Sequence, residues 1–337
     1  MNNDVFVTTT PYQLLQSCYL CNNNSVLIAN YDFYSNLVLS KLIDTYFQNR
    51  VIRLKPFGAY KEHPISFATF RNQMLKIKKR IDADYEIRDI YVFSDVDPVT
   101  QWLSKNIYHS RNLFIVEEGI GLYRDSSFQH KAFFNLFGKV VFGRTYEKVN
   151  RMGESSAVTD ILCTSPELLS YKQRGKTIHV QERHDFSIIQ REIGISPLQN
   201  VNWFVGQPLV EDGVTSQIEY MQVVDHLNQL CLLQGKKLII KPHPRENVLK
   251  YNSKYDVFPE KDTPIELLID TKDNTNIYSI YSSAVFSVTN VDNIRVFALY
   301  KLLKNTTLSE TLNDIFSNKG IKIINEWHDL EIELRVT

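Results

Sequence analysis

Short apolar runs that alternate with helical stretches limit this chain's folds more than any other feature. Val5-Phe6-Val7-Thr8-Thr9, Ser25 to Ala29, Val51 to Leu54, Asp89 to Ser94, Asn112 to Val116 and Ile161 to Cys163 read as strands. Helical patterns lie between them, from Tyr12 onward, over about Ile65 to Arg80 and near Val99 to Asn106. Pro11 suits a first helical turn, where its missing N–H would be unpaired anyway. The second half repeats the style. Val201 to Val205 is a strand, Ser216 to Gln234 a helix closed by Gly235, and Leu238 to Ile240 a strand. Asn276-Ile277-Tyr278, a strand-like run over Ala284 to Val288, a helix over Asn293 to Lys304 and a strand over Ile321 to Ile324 complete it. Such alternation builds a parallel sheet with helices on both faces. The 337 residues exceed one typical core and suit two. The expected fold class is therefore α/β, with two Rossmann-like, doubly wound parallel-sheet domains facing a cleft. Residues 1–175 form the first, the polar and irregular stretch 176–200 the crossover, and 201–337 the second.

Formal net charge is zero, so no basic field gathers nucleic acid, and none is expected as a partner. No run approaches 18 apolar residues, and Met1-Asn2-Asn3-Asp4 has no basic flank, so neither a membrane span nor a signal peptide is expected. The four cysteines, Cys18, Cys21, Cys163 and Cys231, fit a reducing cytoplasmic setting; peripheral attachment to the inner membrane face stays open, as does a homodimer. Cys18 and Cys21 form a single CxxC without a second pair at zinc spacing, so buried structural thiols are the better reading.

The sharpest chemical signal is Leu238-Ile239-Ile240-Lys241-Pro242-His243-Pro244-Arg245-Glu246. A buried strand ends in a stiff cationic loop. Pro242 and Pro244 fix their own φ angles and push their predecessors towards extended geometry. His243 is thus clamped at the carboxyl end of a strand, where open α/β sheets bind ligands. With Lys241 and Arg245 beside it, the natural guest is an anion, most plausibly a phosphate.

Weaker signals sit at other strand ends. Glu117 and Glu118 precede Gly119, and one carboxylate raises its neighbour's pKa, which suits a general base. Gln207 lies in the first strand-end loop of the second half, with Asp212 shortly after, and Asp212 competes with Glu118 for the base role. Ser282 and Ser283 offer hydroxyls to phosphate oxygens. Thr10 and Gln13 end the first strand's loop, where they suit a sugar or a helix cap. Asp95-Val96-Asp97 has the look of a metal-binding DxD, but Pro98 makes a cap as natural, and no metal is assigned. GxGxxG, Walker, GxSxG and HExxH patterns are missing, so dehydrogenase, P-loop NTPase, hydrolase and zincin readings lose their support.

The order Glu117-Glu118-Gly119, Lys241 to Arg245, then Ser282-Ser283 resembles bacterial sialyltransferases, which carry an acidic-Gly motif, an HP motif and a serine motif. The opening Thr9-Thr10-Pro11-Tyr12-Gln13-Leu14-Leu15 is similar to the start of glycosyltransferase family 52, which includes lipooligosaccharide and capsule sialyltransferases. The resemblance implies a GT-B architecture, with an acceptor-side first domain and a nucleotide-sugar donor domain second. It implies CMP-sialic acid as donor, a terminal glycan hydroxyl such as galactose as acceptor, inversion at the anomeric carbon, and no cofactor or metal. By motif position Glu118 would be the base, and His243, Ser282 and Ser283 would meet the donor phosphate, with Glu117, Gly119, Pro244 and Arg245 around them. Asp212 stays the rival base. A cationic His243, helped by Lys241 or Arg245, would stabilise the departing phosphate. The same motifs suit a hexosyltransferase with another nucleotide donor, or a non-catalytic sugar-nucleotide binder.

Overall fold

The computed structural model describes residues 2–54, 65–96, 98–107, 112–124, 139, 143, 146–182, 184–251, 253–289, 291–304 and 311–335. Asp97 lies outside them. Two compact units divide the chain, Met1–His184 and Asp185–Thr337.

Among the described residues the first unit holds seven parallel strands. These are β1 (Asn2–Thr8), β2 (Val26–Ala29), β3 (Val51–Arg53), β4 (Glu86–Val92), β5 (Asn112–Val116), β6 (Asp160–Cys163) and β7 (Thr177–Val180), in the order β3-β2-β1-β4-β5-β6-β7. The order reverses between β1 and β4, as in a doubly wound sheet. Val26 to Ile28 and Leu113 to Val116 are almost wholly buried, which is why their sequences run apolar without alternation. Register is pinned by an aromatic ladder. Phe6 pairs with Tyr91 and Tyr91 with Phe114 in the strand register, and both ring pairs stack at 4.7 Å. That alignment fixes how far β1 and β5 project at their carboxyl ends.

The second unit holds β8 (Val201–Val205), β9 (Lys237–Lys241), β10 (Asp256–Val257), β11 (Thr275–Ser279), β12 (Ile294–Ala298) and β13 (Lys322–Ile323), in the order β10-β9-β8-β11-β12-β13. All pairs are parallel, and the switch point falls between β8 and β11. Trp203, Phe204, Tyr278 and Phe297 fill its centre, each fully buried. The Gln217–Leu233 helix packs on it, capped by Ser216, whose side chain accepts from Glu219 N. Gly235 follows at φ +69°, a left-handed exit that glycine takes without strain.

Three local readings change. Ala284 to Val288 is not a strand: Ser283–Val288 winds as a 3-10 helix behind the Ser282 cap. Asn293 to Lys304 is not a helix: Ile294–Ala298 is β12, and Tyr300–Leu302 a 3-10 turn. The stretch 176–200 is not one irregular crossover. Thr177–Val180 is the edge strand of the first sheet, and the Phe186–Glu192 helix belongs to the second unit. Among the described residues no helix is long and apolar enough to cross a membrane.

Candidate active site

Each unit gathers its polar loops at the carboxyl edge of its sheet. In the first unit Thr10 caps the Pro11–Leu20 helix, its hydroxyl oxygen accepting from Gln13 N at 3.3 Å. The same hydroxyl donates to Glu118 Oε1 at 2.9 Å, and Gln13 Nε2 donates to Glu118 Oε2 at 2.6 Å. Gln13 is itself aimed by Thr9, whose backbone N–H and hydroxyl both donate to Gln13 Oε1. One Thr10 hydroxyl thus both caps the helix and reaches Glu118. The half-buried Glu118 carboxyl is pushed up to about 7, because burial outweighs the opposing hydrogen bonds from Gln13 and Thr10. A carboxyl poised there can take a proton near neutral pH.

Glu117 does a different job. It is buried, and its Oε2 accepts from Thr164 N at 2.6 Å, from the Thr164 hydroxyl at 2.8 Å and from the Tyr123 hydroxyl. Its carbonyl accepts from Gln16 Nε2 at 2.9 Å. These bonds hold the β5 exit to the β6 exit and to the Pro11–Leu20 helix. Gly119 sits at φ +113°, ψ −146°, a region that only glycine enters readily. The turn it makes sends the chain away immediately after Glu118. Gly119→Ala is expected to lower Tm by several degrees and to cut any Glu118-dependent rate, with a thermal melt as the check. An unchanged melt would mean that the turn relaxes without strain.

Asp95, the first residue of the DxD, accepts from Gly153 N and Ser155 N at 2.9 Å each, so its carboxylate ties two backbone segments together. Cys18 is buried and Cys21 donates to the Cys18 carbonyl, which fits structural thiols.

In the second unit, β9 delivers the Pro242-His243-Pro244 loop. His243 Nδ1 accepts from Arg245 N at 3.1 Å, which leaves the ring proton on Nε2. Burial, then the charges of Arg245 and Lys241, push its pKa down to about 4. The cationic His243 expected from sequence is thus a neutral imidazole in the free protein, with an N–H to donate. Lys241 is also not where the sequence reading put it. Its ammonium is buried and donates to the carbonyls of Pro242 at 3.1 Å and Lys261 at 2.6 Å, and burial lowers its pKa to about 8. It stitches the loop from beneath. Arg245 is exposed and makes a two-pronged pair with Asp212, 3.0 Å on both prongs. Asp212 therefore serves as the partner of Arg245.

The switch point joins two of these loops. Gln207 Oε1, beyond β8, accepts from Tyr281 N at 2.9 Å, beyond β11. Ser282 follows, its N–H on Ser279 Oγ at 2.8 Å and its hydroxyl oxygen accepting from Ala284 N at 3.2 Å. Among the described residues the Ser282 hydroxyl proton has no acceptor, so it can donate. The Ser283 side chain lies outside the described residues.

Sequence reasoning missed four residues. Thr164, beyond β6, and Tyr123, six residues after Glu117, both anchor Glu117. Glu266 is a buried carboxyl, pushed up to about 7 by burial and bonded by the Ser287 hydroxyl. Glu246 ended the quoted motif, and its spacing three residues beyond His243 was the one signal that could have exposed it.

Residues 2–301 match the family model described as alpha-2,8-polysialyltransferase (POLYST). No curated protein sequence matches the chain. Similar solved structures include an alpha/beta-galactoside alpha-2,3-sialyltransferase from the luminous marine bacterium Photobacterium phosphoreum, with TM-score 0.55, 14% identity, and 96% of this chain and 98% of that one covered. The UDP-GlcNAc 2-epimerase of Methanocaldococcus jannaschii gives TM-score 0.55 at 10% identity, covering 100% and 92%. S. aureus MnaA with UDP gives 0.56 at 10%, covering 99% and 87%. With its two parallel-strand sheets and these neighbours, the chain has the GT-B fold.

Proposed function

We propose that this chain, which belongs to the alpha-2,8-polysialyltransferase family, moves sialic acid from CMP-sialic acid to a terminal hydroxyl of a bacterial surface glycan, with inversion and without a metal. The observation that carries the reading is Glu118, a carboxyl near pKa 7 held by two donors at the end of β5. In such a transfer the bond to CMP breaks well ahead of attack, and the departing group is a phosphate. The Nε2–H of His243 donates to that phosphate oxygen, a bond that strengthens as negative charge develops on the leaving group. Ser282 adds a hydroxyl donor. Glu118 takes the proton of the acceptor hydroxyl. The protein works in the cytoplasm, where nucleotide sugars are made, with peripheral attachment to the inner membrane face compatible with the chain.

Two acceptors compete. Galactose is favoured by the motif resemblance, whereas the family description points to a sialylated terminus. Incubation with CMP-sialic acid and a panel of lactosides and sialyl-lactosides separates them. Transfer to neither, with no CMP release, rejects the proposal. Thermal shifts with CMP, UDP, GDP and CDP decide against a hexosyltransferase, and turnover itself decides against a non-catalytic binder. Activity in excess chelator tests metal independence, and proton NMR of the product's anomeric configuration tests inversion.

The pH profile is a further check. Glu118 accepts a proton only when ionised, so kcat/KM is expected to climb with pH and level off above about 7. Stability runs the other way. The folded pKa lies above the ordinary 4.5, so the stabilisation is complete below about 4.5 and is lost as pH rises through about 7. Glu266 adds to the same trend in the same window. Tm is therefore expected to fall between pH 5 and pH 8, less steeply in Glu118→Gln than in the parent; equal slopes would remove Glu118 from that titration.

A further inference from the structure

The His243 loop is held from behind by a carboxylate that is buried out of solvent's reach. Glu246 Oε2 accepts from His243 N at 2.6 Å, and Glu246 N donates to the His243 carbonyl at 2.9 Å, which closes a four-residue turn. Inside that turn Arg245 N reaches His243 Nδ1. The other carboxylate oxygen, Oε1, accepts from Tyr251 at 2.7 Å, Tyr220 at 3.1 Å and Lys250 Nζ at 2.7 Å. Lys250 is buried too and reaches on to Glu211 at 3.3 Å. Space for the carboxylate exists only because residue 206 is glycine: a Cβ there would stand 2.2 Å from Glu246 Oε2. Lys261 adds a bond from below, its ammonium donating to the Glu246 carbonyl at 2.7 Å.

A buried charge with this many partners costs more to desolvate than a packed apolar residue would, so stability alone is a poor account of it. Its geometry acts on His243 instead. The turn it closes places the Arg245 N–H on Nδ1, and that bond decides which ring nitrogen carries the proton. We propose that Glu246 is a positioning residue that holds His243 as the Nε2–H tautomer, directed at an anionic leaving group, through the Gly206-Glu246-Lys250 lock. The role of His243 rests on the transferase reading above; the lock itself does not.

The groups facing His243 in this lock are Lys241 at the end of β9, and Arg245, Asp212, Glu211 and Glu246 on the loops after β8 and β9. The test compares two charge-balanced variants. Glu246→Gln with Lys250→Met keeps an oxygen acceptor for His243 N. Glu246→Leu with Lys250→Met removes it. Nitrogen-15 NMR of the His243 ring reads tautomer and titration midpoint directly, with or without turnover. The Gln variant is expected to keep the Nε2–H form, a midpoint near 4 and kcat within about threefold of the parent. In the Leu variant the tautomers mix and the midpoint moves towards the ordinary 6.5. Its kcat drops at least about tenfold, with KM for the acceptor little changed. A folded Leu variant with the parent's ring spectrum overturns the proposal. Should that variant not fold, Gly206→Ala pushes on the same carboxylate and is expected to give the same ring spectrum; a parent-like spectrum there is equally adverse. If the parent transfers nothing from any donor, the transferase reading fails while the ring spectra still decide the lock.

Discussion

Glu118→Gln is expected to lower kcat about 10³-fold, a loss of about 4 kcal/mol, while CMP affinity stays within about twofold. The amide is nearly isosteric. It can still bond Thr10 through its oxygen, so the β5 exit keeps its place. What it loses is basicity, and CMP does not need the base in order to bind. Asp212→Asn is the control. That carboxylate is exposed and held two-pronged by Arg245, a geometry for orienting a guanidinium rather than for collecting a proton. Its variant is expected to keep kcat within about fivefold of the parent. Parallel measurement of kcat and CMP affinity decides. Loss of turnover in Asp212→Asn beside an active Glu118→Gln would hand the base role to Asp212 and leave Glu118 to bind acceptor.

His243→Ala is expected to cut turnover by roughly 10²-fold or more, the usual cost of losing one donor to a developing anion. The methyl group leaves the backbone N–H to Glu246 intact, so the fold should persist. His243→Gln supplies a neutral donor and is expected to recover part of the loss. Recovery would separate donation by a neutral N–H from a requirement for positive charge. Near-parent turnover in a folded His243→Ala protein would take the residue out of the reaction.

The central strands were readable in sequence because a parallel sheet covered on both faces needs continuous apolar runs, as in Val26 to Ile28 and Leu238 to Ile240. The edges were not. Thr177–Val180 is largely exposed and carries no such run, and Asp256–Val257 is only two residues long. Ile294 to Ala298 shows the ambiguity of a short apolar segment, which suits a buried strand or a helix face equally; the left-handed Asn293 at φ +66° before it marks the turn into the strand. At the site, prolines announced the His243 loop and a glycine announced Glu118. Charge states stayed hidden, since they depend on burial. Lys241 looked like a ligand for an anion because the sequence cannot show which way a lysine turns at the end of a strand. The partners of Glu246 lie on other elements, and its room comes from a side chain that Gly206 does not have.

For the proposed transfer, the Arg245–Asp212 pair would make arrival of a donor phosphate an exchange rather than an addition. Before any anion comes, the guanidinium is already occupied by an internal counter-ion on an exposed surface, where such a pair is worth about 0–1 kcal/mol. An incoming phosphate that recruits Arg245 trades one weak partner for another of higher charge. Asp212 would reclaim the cation once the nucleotide left. Since such an exposed pair is worth about 0–1 kcal/mol, the exchange would withhold at most about fivefold in affinity, from the proposed donor and from the spent monophosphate alike.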